Sequence, residues 1–157
     1  MTPSADGKIA MLRHSVATLA YRGGKALRGA PAEFAGYGSR TPGQILAHVC
    51  DLFDWALTIA DGKQAWHNGH PQAWDADIAR FFAGLEAFDR RLASGVPLAV
   101  EPERLFQGPV ADALTHVGQI AMLRRMAGCA MSGENYFVAR IETGRVGADQ
   151  AAPVKQF

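Results

Sequence analysis

Three observations predict an all-α fold: a four-helix bundle followed by an irregular tail. Apolar residues recur at spacings of three and four along four long stretches. Segments rich in glycine and proline separate these stretches. No convincing strand pattern competes with them, so the helices must bury their apolar stripes against one another. The 157 residues are expected to form one domain, with core helices over about 5–128 and a tail over 129–157. A chain of this length buries about 68–70% of its unfolded surface, enough for a core without staples.

The first helix is expected to start at a cap, Ser4 or Asp6, and to carry Ile9, Leu12, Val16 and Leu19 on its inner face. Gly23 and Gly24 are expected to weaken its end, and 29–40 reads as a loop. The length of that loop suggests that at least one connection crosses over the bundle instead of turning tightly. Thr41-Pro42 is a helix start, a hydroxyl cap followed by proline at the first helical position. Ile45, Leu46, Val49, Leu52, Phe53, Ala56 and Leu57 give the second helix a wide apolar face, and Asp61-Gly62 ends it.

Residues 63–71, with Trp66, His67 and His70, read as a solvated loop. The third helix is expected from about Gln72 to Ala93, burying Ile78, Phe81, Phe82, Leu85, Phe88 and Leu92, with Ser94-Gly95 as its stop. A connector with some extended character should follow over 96–106. Gly108-Pro109 is expected to open the fourth helix, whose stripe is Ala113, Val117, Ile120, Ala121 and Leu123-Arg124, with Gly128 closing it. In the tail only Tyr136 to Ile141 is apolar enough to order on its own merits. The tail should wrap over the helices or over a partner.

Composition excludes several function classes. The net charge is +1, from 16 basic and 15 acidic residues, which leaves no electrostatic footprint for nucleic acid. No apolar run approaches the ~20 residues needed to span a bilayer, so no membrane partner is expected. Residues 1–7 lack the basic-then-apolar order of a signal peptide. Two cysteines, Cys50 and Cys129, are too few for a disulfide scaffold. The expected setting is a reducing, cytoplasmic one.

The chemistry lies on two stripes. On the second helix Gln44, His48, Asp51 and Trp55 follow one another at spacings of four, three and four. His48 also falls three after Ile45 and four before Leu52, on the apolar face. On the fourth helix Asp112, His116 and Gln119 form a matching stripe, with the first two one turn apart. An unpaired buried imidazole costs on the order of 1–3 kcal/mol, so His48 and His116 must be hydrogen-bonded or coordinated. If the two stripes face each other, His48, Asp112 and His116 converge as a divalent-metal site with open positions. Asp51 or Gln119 would then orient the ligands through their other ring nitrogens. The competing reading makes both histidines core residues bonded to Asp51 or Asp112. Cys50 lies two residues from His48, on another side of the helix, and reads as a small buried hydrophobe.

The run Thr41-Pro-Gly-Gln-Ile-Leu-Ala-His48-Val, followed by Asp51-Leu-Phe-Asp-Trp55, resembles the second helix of the DinB/YfiT-like superfamily. The run Asp112-Ala-Leu-Thr-His116-Val-Gly-Gln119-Ile resembles that family's fourth helix. The resemblance covers residues 41–128. It implies a four-helix bundle, a homodimer, and three histidines on a divalent metal, one from the second helix and two from the fourth. His48 and His116 match two of those places, and Asp112 stands where the middle histidine would be. A carboxylate also ligates zinc, nickel or manganese.

Two functions follow. One is a metal-dependent enzyme acting on a small molecule, a thiol S-transferase or a small hydrolase. The other is a non-enzymatic stress-response or small-ligand-binding bundle with a decayed metal site.

Overall fold

Burial of the four apolar stripes organises the molecule. In a computed structural model, which describes residues 5–157, the long helices are α1 (Ala5–Leu27), α2 (Pro42–Ala60), α3 (Trp74–Ala93) and α5 (Ala111–Met126), with a short α4 (Pro102–Leu105) before the last. Helix α2 packs against α3 and α5, and α1 packs against the same two. Their shared interior is filled by Val16, Leu19, Ile45, Val49, Phe53, Phe81, Leu85, Phe88 and Ile120, each at most 2% exposed. No strand forms among the described residues, and no helix there is long and apolar enough to cross a membrane.

Of the two residues expected to cap α1, Ser4 lies outside the described residues, and Asp6 falls inside the first turn. There its charge complements the helix dipole. Helix α1 also does not end at Gly23-Gly24 but runs through both to Leu27. The missing side chains serve packing: a Cβ on Gly23 would stand 2.6 Å from Phe81 Cζ, and one on Gly24 3.4 Å from Phe82 Cζ. Tertiary contact with α3 therefore outweighs the poor helix propensity of two glycines, about 1 kcal/mol each.

The start of α2 is as the sequence reads. Thr41 Oγ1 accepts from Gln44 N–H, and Gln44 Oε1 accepts from Thr41 N–H, a reciprocal capping box. Helix α3 starts at Trp74, two residues later than expected, and ends at Ala93, with Ser94 capping it and Gly95 at φ 73°.

The entry to the last helix differs from expectation. The chain turns helical at Pro102, which occupies the first helical position, and then widens into a single π turn, Phe106–Val110, with Pro109 inside it. Proline has no N–H and its ring crowds the carbonyl four residues back, so a standard turn cannot pass through it. The widened turn accommodates Pro109 and sets the rotation at which α5 begins.

Gly128, at φ 78°, closes α5 as expected. Arg124, 5% exposed, is buried at that end. Its guanidinium donates to the carbonyls of Ala26 (3.0 Å), Arg28 (2.8 Å) and Cys129 (2.8 Å). It thus caps the carboxyl end of α1, where unpaired carbonyls gather and a cation is favoured.

The tail folds onto its own bundle. Glu134 is buried, with Tyr21 Oη donating to one carboxylate oxygen (2.5 Å) and Lys25 Nζ to the other (2.7 Å). Residues 133–135 bridge antiparallel to 155–157 through Asn135 N–H to Lys155 O and Phe157 N–H to Gly133 O. The apolar run expected to order the tail forms a 3-10 turn, Tyr136–Val138, but buries little: Phe137 is 96% exposed. Polar anchoring at Glu134 and the buried Val146 hold the tail instead.

Candidate metal centre

Helices α2 and α5 are neighbours, and beside their buried apolar residues a polar residue from each meets the other. His48 and His116 meet edge to face, with ring centroids 4.8 Å apart and planes at 87°. The Asp112 carboxylate sits between them. One oxygen lies 3.4 Å from His48 Nε2 and the other 3.5 Å from His116 Nε2. One ligand atom from each of the three residues closes to within 4.8 Å of the others. A metal at the bond lengths of zinc holds its donor atoms within about 4 Å of one another. The two Asp112 pairs meet that limit, while the set as a whole is looser.

The donor chemistry fits a divalent ion. Bonds of about 2.0–2.1 Å at tetrahedral angles place neighbouring donors about 3.4 Å apart, close to both Asp112 distances. Gln119 Oε1 lies 2.8 Å from His116 Nδ1. With an ion bound, Nδ1 would donate to this amide oxygen and Nε2 would turn its lone pair to the ion. This is the support that a metal-bound histidine ordinarily receives from an outer partner. The side chains of His48, Asp112 and His116 are 31%, 46% and 13% exposed, so the cluster opens to solvent on one side.

The remaining sequence-predicted residues divide. Gln119 takes the supporting place expected of it. Asp51 does not orient His48: its carboxylate accepts from Arg80 Nη2 (2.7 Å) and from Gly69 N–H (2.9 Å). The physical reason is charge, since Arg80 on α3 offers a full counter-charge that an imidazole does not. Arg80 also reaches Asp54 (2.6 Å). Gln44 is engaged in the capping box, although it lines the same cavity as His48. Trp55 does not touch the cluster directly but packs edge to face on Trp66 at 5.6 Å.

Trp66 is the residue that sequence reasoning missed. Residues 63–71 form the exposed loop expected, with only Ala65 partly buried, but the loop is tied to the bundle at two points. Thr58 Oγ1 accepts from Ala65 N–H (2.9 Å) and donates to Trp55 O (2.8 Å), while Asp51 holds Gly69. Between these two ties Trp66 is set over the site, its ring centroid 5.6 Å from that of His48. Its indole N–H donates to Asn68 Oδ1 (2.9 Å). Gln64 bends the chain inward in the left-handed region, at φ 50°. The available signal was the tryptophan itself, because a large apolar ring in a loop finds a surface when one is near. His67 and His70 are exposed and take no part.

Cys50 is excluded from the chemistry. It is 2% exposed and its Sγ faces Asp77 O at 3.5 Å. Burial pushes its thiol up to about 12, so it stays protonated and unreactive. Both cysteines are free thiols.

Comparison with known proteins adds no relative: no family model, no curated protein and no solved structure matches the chain.

Proposed function

We propose that this chain is a DinB/YfiT-like metal protein in which His48, Asp112 and His116 hold a divalent ion, with Gln119 behind His116. The observation that carries this reading is the closure of three donor atoms from two helices to within 4.8 Å. The placement of α1 and α2, each packed on α3 and α5, supports the crossover connection expected for that family. A bound divalent ion supplies a hydroxide at neutral pH, or holds a thiolate, and so suits hydrolysis or thiol S-transfer on a small molecule. The residues divide the work. Asp112 supplies the negative charge, the two imidazoles supply neutral donors, and Trp66 and Trp55 keep one side of the site apolar. Zinc, nickel and manganese all suit this donor set.

The test is metal content. Protein made without a polyhistidine tag and refed with zinc, nickel and manganese is expected to retain near-stoichiometric metal, and His116→Ala is expected to lose it. Absence of metal after refeeding defeats the proposal.

One observation favours the second reading, a binding or stress-response bundle without a metal. Asp112 already lies between the two imidazoles at 3.4 and 3.5 Å, so the three groups partly satisfy one another with no ion between them.

We also infer a homodimer. Met11 and Phe106, 65% and 46% exposed, line one apolar groove, and Phe137 in the tail is 96% exposed, surface that a second copy would cover. Light scattering at micromolar concentration decides it, since a mass near 16.8 kDa means monomer. The two free thiols accord with a cytoplasmic setting.

A further inference from the structure

We propose that the cavity beside His48 is a subsite for a carboxylate on a small-molecule ligand, with Arg40 as its counter-charge. The proposal rests on the metal reading above. A cavity of about 480 Å³ is lined by Ser39, Arg40, Gln44, His48, Asp51 and Asn68, among others. Its charges are unequal in status. Asp51 is already answered by Arg80 and by Gly69 N–H. Gln44 is turned to the backbone of Thr41. Arg40 is exposed and, among the described residues, has neither an ion pair nor a side-chain hydrogen bond. It is therefore the one uncommitted charge in the described wall.

Its placement is well defined. Arg40 immediately precedes Thr41, the residue fixed by the capping box of α2, so its backbone is tied to the helix that carries His48. His48 lies seven positions after Thr41, about 10 Å of helix at 1.5 Å per residue. A guanidinium on a long stem can close much of that span. Its planar fork matches a carboxylate in two parallel hydrogen bonds. The metal end adds to the preference. Two neutral imidazoles and one carboxylate leave half of a divalent charge unbalanced, so the open side of the site favours an anion. A ligand that meets the ion with one group and carries a carboxylate a few ångströms away answers both charges.

The experiment uses the full chain loaded with cobalt(II), whose visible spectrum reports donors entering its coordination sphere. Two probes are titrated, 3-mercaptopropionate and its uncharged methyl ester. Wild type is expected to bind the acid roughly three- to tenfold more tightly than the ester, as for a partly exposed charge pair. High salt should narrow the difference. Arg40→Gln is expected to bring the two probes level, with the cobalt spectrum of the probe-free protein unchanged, and Arg40→Lys to restore part of the preference. Equal binding in wild type, or a preference that survives Arg40→Gln, overturns the subsite while the cobalt spectrum still upholds the metal. If no cobalt spectrum develops, the metal reading and the subsite fall together.

Discussion

Replacing Gly23 with alanine sets two effects of opposite sign against each other. In a helix interior, alanine is favoured over glycine by about 0.5–1 kcal/mol because less backbone entropy is lost. The new methyl, however, would stand 2.6 Å from Phe81 Cζ and 3.1 Å from Cε1. Phe81 is 1% exposed and packed on Phe82 with ring centroids 5.0 Å apart, so it has little room to retreat. Overpacking of this kind costs about 1–3 kcal/mol. The net expectation is a loss of about 1–2 kcal/mol, or about 2–8 °C in Tm for a chain of this size. Gly118 supplies the control. It is exposed in the middle of α5, and a Cβ there meets nothing within 4 Å. Gly118→Ala is expected to show the propensity term alone, a gain of about 0.5–1 kcal/mol. Urea unfolding of both variants, followed by circular dichroism, separates the two terms. Adding Phe81→Leu to Gly23→Ala should recover part of the loss through coupling between touching residues. If Gly23→Ala stabilises as much as Gly118→Ala, the close approach of α1 and α3 does not explain why the helix runs through its glycines.

Gln119→Ala is expected to weaken metal binding by about 10–100-fold, read by calorimetric titration, and an unchanged affinity would remove Gln119 from the site. Arg124→Met strips three carbonyls of a charged donor and is expected to cost about 2–4 kcal/mol; a urea midpoint shift worth less than about 0.5 kcal/mol would refute its capping role. With a chromogenic disulfide reagent at pH 8, Cys129 should react in the native protein and Cys50 only after denaturant is added. The raised Cys50 pKa also fixes the sign of its pH dependence. Its contribution to stability is complete below the ordinary thiol value of 9.0 and is lost as pH climbs toward about 12; alkaline melts in which Cys50→Ala tracks wild type would contradict this.

The parts legible in the sequence were those governed by local chemistry. Thr41-Pro42 specified a helix start, while Gln44, read as a site residue, instead completes the capping box of that start. The period of Ile45, Val49, Phe53, Phe81, Leu85 and Phe88 specified which faces would be buried. The same periodicity placed His48, Asp112 and His116 on facing stripes, because each lies beside a buried apolar residue of its helix and is carried along with it. What stayed hidden was set by tertiary partners. Gly23 and Gly24 read as a weak helix end until Phe81 and Phe82 are seen against them. Asp51 read as a partner of His48 because Arg80, far along the chain, was not in view. Trp66 read as a loop residue because its neighbours depend on Thr58 and Asp51 folding the segment back. The π turn at Phe106–Val110 depends on α4 having started at Pro102, and Pro109 alone suggested a fresh start instead of a widened continuation.

The buried meeting of Tyr21, Lys25 and Glu134 has a bearing on the order of assembly. Glu134 lies 113 positions beyond Tyr21, so this contact closes a very long loop. The entropy of closing a flexible loop rises only slowly with its length, but it must be lost before the contact gives anything back. Docking α3 and α5 on α1 shortens the effective loop to the tail alone. That ordering predicts that the Glu134 carboxylate gives up its water only after α1 has its neighbours. The tail, anchored by Glu134 and by Val146, is thus expected to join after the four helices have packed.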